Sequence, residues 1–138
     1  MKSLKLLTLP IIILIVLLSC NSKKGSNYQY SRVWKLVELD GYVKDKLIKK
    51  DVTLDLMENH NIASTNCQSI KIKLKWLPNN RVTIKNVEDL SSSCQRTKME
   101  EDYFEKLFSS QYYQIEGHFL TLRAKDGKFM KFVAADWD

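Results

Sequence analysis

Glycine is scarce in this chain, with four residues in 138, and proline scarcer still, with two. That scarcity excludes collagen-like and Pro/Gly-rich low-complexity chains. No glycine-rich phosphate loop, HExxH motif or nucleophile elbow occurs either. Cysteine is limited to three residues and histidine to two, and no cysteines form a CxxC pair. A zinc site therefore has no ligand set to draw on, and no metal or cofactor is expected. Basic residues outnumber acidic ones by 22 to 16, a formal net charge of +6. That falls short of the dense basic patch of a nucleic-acid binder, so no nucleic-acid partner is expected.

Long apolar runs are also missing, with one exception at the N-terminus. Lys2 and Lys5 precede an apolar stretch from Leu6 to Leu18, interrupted by Thr8 and Pro10, and Ser19-Cys20 closes it. A basic start, a short apolar core and a small residue before the break form a secretory signal. A membrane-spanning helix is the alternative, but a span needs about 20 apolar residues and this run is shorter. Leu17-Leu18-Ser19-Cys20 resembles the lipobox of bacterial lipoproteins, which implies cleavage before Cys20 and acylation of its thiol. The expected organisation is a signal peptide over 1–19, a lipidated flexible tether over 20–30, and one domain over 31–138. Order is expected to begin near Tyr28 and Tyr30. Loss of Lys2 and Lys5 takes two charges from the +6 and leaves +4 on the mature chain.

With Cys20 lipidated, Cys67 and Cys94 remain, an even number in an oxidising compartment, and parity there favours a disulfide. The competing reading is a reactive thiol at Cys94, whose acidity the following helix would increase. No nearby cysteine stands ready to resolve such a thiol.

Most of the mature chain alternates apolar and polar residues. Val52, Leu54 and Leu56 do so, and Ile70, Ile72, Leu74 and Trp76 alternate with Lys71, Lys73 and Lys75. Val82 and Ile84 follow, then Tyr113 and Ile115, Leu120 and Leu122, and Met130 and Phe132. Such strands bury one face, which suits antiparallel sheet. Gly117-His118 as a two-residue type II′ turn sets Ile115 opposite Leu120 and Tyr113 opposite Leu122. A three-residue Lys125-Asp126-Gly127 loop, with Gly127 left-handed, sets Leu122 opposite Met130 and Leu120 opposite Phe132. Pro78-Asn79-Asn80, or a loop one residue longer at each end, sets Trp76 opposite Val82 and Leu74 opposite Ile84. A one-residue slip would turn each strand inside out, which is why these registers are specific.

One helix is expected at about 97–109. Thr97-Lys98-Met99-Glu100 has the form of a capping box, and Glu100, Glu101 and Asp102 suit the positive end of the helix dipole. Met99, Tyr103, Phe104, Leu107 and Phe108 form an apolar stripe that fits packing against a sheet. The predicted fold class is mainly β: an antiparallel meander curled into a small barrel or half-barrel, with this single helix inserted. Trp34, Trp76, Phe119, Phe129 and Phe132 are bulky enough to fill such a barrel, so no large apolar cavity is expected.

Trp34-Lys35-Leu36, Cys67, Cys94, the helix bearing Glu101, Phe104 and Leu107, then YYQIEGHFLTL and GKFMKF occur in that order. Together, from about Trp34 to Phe132, they resemble the META domain of HslJ-type proteins. The resemblance implies a bacterial envelope lipoprotein with a small β-barrel-like fold and one helix. The family is linked to heat-shock response, drug tolerance and virulence, without an accepted biochemical activity. Two departures stand out: Asn66-Cys67-Gln68 replaces the family's frequent Gly-Cys-Asn, and Ser91-Ser92-Ser93-Cys94 replaces Thr-x-x-Cys.

No catalytic constellation emerges. Asp51, Asp55, Glu100, Glu101, Asp102 and Glu105 fit a solvated strand face and helix N-terminal charges, and His60 and His118 fall in turns where exposure is expected. The most suggestive surface is Lys71, Lys73, Lys75, Arg81 and Lys85 on the wet side of one hairpin. A lysine-lined face keeps strands soluble and discourages edge pairing; near a membrane it could also meet anionic lipid headgroups or an acidic envelope protein. The expected function is a non-enzymatic, stress-related binding module, monomeric and anchored through Cys20 at the outer membrane facing the periplasm. The alternatives are an inhibitor of a cell-wall-lytic enzyme and a small-ligand carrier using the barrel interior.

Overall fold

Eight antiparallel strands follow one another in chain order and close on themselves in the computed structural model, which describes residues 29–137. The expected signal peptide, Cys20 and Tyr28 lie outside the described residues. The strands are β1 (Val33–Leu39), β2 (Thr53–Asp55), β3 (Ile62–Ser64), β4 (Gln68–Leu77), β5 (Arg81–Ser92), β6 (Ser110–Glu116), β7 (Phe119–Ala124) and β8 (Phe129–Ala134). Helix α1 (Lys44–Ile48) joins β1 to β2, and α2 (Lys98–Ser109) joins β5 to β6. Pairing of β1 with β8 completes the barrel, so the half-barrel form of the expectation is not the one adopted.

The hairpin registers follow from turn chemistry as expected. Glu116 pairs with Phe119 around Gly117-His118, which sets Ile115 opposite Leu120 and Tyr113 opposite Leu122. Gly117 has φ +58° and Gly127 φ +86°, backbone that side chains with a Cβ disfavour. Around Gly127, Leu122 pairs with Met130 and Leu120 with Phe132. Leu77 pairs with Arg81, and Asn79 and Asn80 adopt the left-handed conformation inside the tight turn. A Cβ at Gly127 would meet nothing within 4 Å, so Gly127→Ala carries only a conformational cost. We expect that variant to lose about 1–2 kcal/mol in urea unfolding, with part of the loss recovered in Gly127→Asn. Equal stability of Gly127→Ala and wild type would refute the left-handed assignment.

Strict alternation breaks at four places among the described residues, one of them between Ser110 and Tyr112 where β6 pairs with β7. The β1–β8 register shifts between Leu36 and Glu38, so Leu39 rather than Glu38 returns to the core. Two further shifts in β4–β5 leave Val87 and Leu90 outside the ladder, and both are exposed. Closure between β5 and β6 is narrow: Arg81 pairs with Tyr112, and the Tyr113 N–H donates to the Asn80 carbonyl at 2.8 Å. Beyond that point α2 takes the place of the missing wall and packs against β5, β7 and β8.

The core is one cluster within the barrel. Trp34, Tyr103, Leu107, Leu120, Leu122 and Phe132 are fully buried. An eight-strand barrel leaves an interior about wide enough for side chains, and these occupy it. Two of the expected core aromatics face the other way. Phe119 pairs with Val133 and Phe129 with Arg123 on the outer surface, where Lys131 lies 4.5 Å from the Phe119 ring centre and Arg123 5.1 Å from that of Phe129. Each cation covers an aromatic face that would otherwise be wet. Strand parity decides the matter: with Leu120 and Leu122 inside, Phe119 must point out.

The expected α2 has its capping box, with Thr97 as N-cap. Helix α1 is an addition to the expected fold; it lacks a side-chain cap and buries only Leu47.

Candidate functional site

Three places on the barrel concentrate polar or aromatic chemistry. The first is the junction of β4, the β5–α2 loop and α2. Cys67 and Cys94 form a disulfide with Cα atoms 4.9 Å apart, which disposes of the reactive-thiol reading of Cys94. Directly beneath it lies Glu100, only 3% exposed. Its carboxylate accepts from the Thr97 N–H at 2.8 Å, the Thr97 hydroxyl at 2.9 Å and the Cys67 N–H at 3.2 Å. Burial by itself raises the Glu100 carboxyl; the Thr97 N–H, the Thr65 and Thr97 hydroxyls and the Cys67 N–H outweigh that and hold it below its ordinary value of 4.5. Beyond its expected place in the capping box, the Glu100 carboxylate is a buried strut between α2 and Cys67. Its neighbour Asp102 accepts from Lys98 and from the Tyr42 hydroxyl, both at 2.5 Å, which holds its pKa below the usual carboxylate range and ties the loop after β1 to α2. Both acids are engaged by protein donors and hold elements in place.

The second place is the outer wall of β4 and β5. Lys71, Lys73, Lys75, Arg81 and Lys85 are all exposed, as expected. Lys73 stands directly opposite Lys85, Lys75 opposite Thr83, and Lys71 opposite Glu88. None of the five forms an ion pair among the described residues.

The third place is the barrel end that carries the Leu77–Arg81 turn. Tyr30, Trp76 and Tyr113 close it: ring centres lie 4.7 Å apart for Tyr30–Trp76 and 4.6 Å for Trp76–Tyr113. The Tyr30 and Tyr113 hydroxyls are 3.4 Å apart, and the Trp34 indole N–H donates to the Tyr30 carbonyl at 3.4 Å. The Tyr30 hydrogen bond, aided by burial, pushes the Tyr113 hydroxyl up to about 12, so it stays neutral. At the same end His118 stacks on Trp137 with ring centres 5.0 Å apart. His118 is half-buried rather than exposed, and its Nδ1 has no hydrogen-bond partner. His60 is exposed as expected and pairs with Asp55 at 3.1 Å.

Among the described residues no group of three or more His, Cys, Asp or Glu side chains gathers as a metal site would require, and no helix is long and apolar enough to cross a membrane. The META domain family model matches residues 20–137, almost the whole chain outside the signal-like segment. The chain belongs to the META domain family. No curated protein matches it. The META match is broader than the stretch from Trp34 to Phe132 on which the resemblance rests, since it reaches back to Cys20 and forward to Trp137.

Within this META domain, sequence reasoning missed two site features. Glu100 was legible as a capping residue but not as the partner of Cys67, 33 positions away. Tyr30 was legible only as the place where order begins, whereas it is the lid over Trp76.

Proposed function

We propose that this META-domain chain is a non-enzymatic envelope lipoprotein, a stress-related interaction module held at the outer membrane by acyl chains on Cys20. The residues from Cys20 to Gln29 serve as its tether, and the barrel, with Tyr30 packed over its end, as its working part. One observation carries the reading: the barrel axis is filled by Trp34, Tyr103, Phe132 and their leucine neighbours, all fully buried. A carrier would keep that volume for its cargo. Recognition therefore falls to the outer surface, where β4 and β5 concentrate unpaired cations. The beginning of the family match at residue 20 supports a mature chain that starts at the lipobox cysteine.

Metabolic labelling with radioactive palmitate tests the anchor. The wild-type chain should incorporate label and Cys20→Ala should lose it, because each acyl chain adds about 0.8 kcal/mol per buried CH₂ and several make attachment permanent. Label retained in Cys20→Ala would remove the lipoprotein reading.

A further inference from the structure

We infer that the β4–β5 wall is a docking surface for anionic phospholipid headgroups, and that the barrel lies on its side against the bilayer that holds its own anchor. The inference rests on the lipoprotein reading above and names the partner of that protein's cationic surface.

Two independent observations lead there. The first is the cost built into the wall. Lys73 and Lys85 are direct cross-strand partners, and like charges in that position destabilise a sheet. Lys75 faces Thr83, and only Lys71 has a carboxylate opposite, on Glu88. A face kept soluble by charge would be served equally well by mixed signs, as happens at the Arg32–Asp136, Lys98–Asp102 and Lys128–Asp126 pairs elsewhere on the surface. A wall with such an excess of cations, offset across the ladder only by Glu88, is served by an external anion.

The second observation is the exit of the tether. Tyr30 is pinned on Trp76, the strand neighbour of Lys75, and beside Tyr113, whose N–H bonds Asn80 in the β4–β5 turn. The chain therefore leaves the barrel at the foot of the cationic wall. From Cys20 to Gln29 it spans at most roughly 30 Å when fully extended. That reach is about three Debye lengths of 8–10 Å, so the anchor confines the barrel near the headgroups and the surface field of an anionic leaflet draws in whichever face is cationic. Lys44, Lys46, Lys49 and Lys50 sit at the opposite end of the barrel, in and around α1, and provide an internal control.

The test uses the native lipidated chain reconstituted in vesicles of phosphatidylcholine alone or with phosphatidylglycerol. A water-soluble acetylating reagent modifies the lysines, and mass spectrometry reads the rate at each. With phosphatidylglycerol, Lys71, Lys73, Lys75 and Lys85 should react about fivefold more slowly, the factor that one lysine's attraction to an anionic surface supplies. The four α1-end lysines should be unaffected, and protection should vanish at about 1 M salt, where the Debye length is about 3 Å. Lys73→Glu/Lys75→Glu should remain anchored and folded yet lose the protection. Equal rates in both vesicle types, or protection that persists in the charge-reversed variant, would overturn the docking surface. Protection seen only when other envelope proteins are added would also overturn it, in favour of an acidic protein partner. The anchor is read separately: intact mass reports acylation at Cys20, so an unacylated chain identifies failure of the lipoprotein reading.

Discussion

Cys67→Ala/Cys94→Ala should unfold in urea with about 3.5 kcal/mol less stability than wild type, the value the chain-entropy model assigns to a link across 27 positions. The loop so closed contains all of β4 and all of β5, the long hairpin whose far half has no sheet neighbour on its second edge. Without the link, the unfolded chain gains freedom and the β5–α2 loop loses its fixed point on β4. The slope of the transition should also rise slightly, because a chain without the cross-link exposes more surface when unfolded. Alanine suits the test because Cys67 is buried, and a serine there would add an unsatisfied hydroxyl to the loss of the link. A change below about 1 kcal/mol with an unaltered slope would mean that noncovalent contacts alone define the junction.

Local rules explain why so much of this barrel was legible in the sequence. The three tight hairpins were readable because Gly117, Gly127 and Asn79-Asn80 restrict loop length, and loop length then dictates which apolar residues face one another. The start of α2 was readable because Thr97 and Glu100 satisfy each other within one turn. Features that depend on distant partners were not readable. Phe119 and Phe129 were assigned to the interior by bulk, whereas the parity of Leu120 and Leu122 sends them outward. The bulge in β1 that returns Leu39 to the core lies in its pairing with β8, about 90 positions on in the chain. Helix α1 is five residues long and uncapped, and it owes its place to the burial of Leu47. The opposition of Lys73 and Lys85, by contrast, already followed from the local turn that sets Leu74 opposite Ile84.

Glu100→Ala should cost about 3 kcal/mol near neutral pH, a loss close to that of the disulfide although no covalent bond is touched. Roughly 1 kcal/mol of it is the helix cap. The remainder comes from the Cys67 N–H, which would be left buried with only the Thr65 hydroxyl at 3.3 Å, and from the loss of the charge-assisted bonds that the carboxylate accepts from Thr97. Glu100→Gln should recover only part, since its amide keeps one acceptor oxygen but turns an NH₂ toward one of these donors. The acid limb of stability should identify the carboxylate. Its folded-state pKa is depressed below 4.5, so its contribution is fully present above about pH 4.5 and is lost as pH falls through the folded value. Wild type should therefore lose stability faster than Glu100→Gln on acidification from about pH 5 downward. Parallel acid limbs in the two proteins would show that the carboxylate is not the group being titrated. Because Cys67 is both the disulfide partner and the Glu100 hydrogen-bond partner, the two losses should not add. In a double-mutant cycle, removing the disulfide and Glu100 together should cost less than the two separate losses combined, by about 0.5–3 kcal/mol. Strict additivity would mean that the covalent and the hydrogen-bonded struts hold different parts of the junction, with Cys67 merely shared between them.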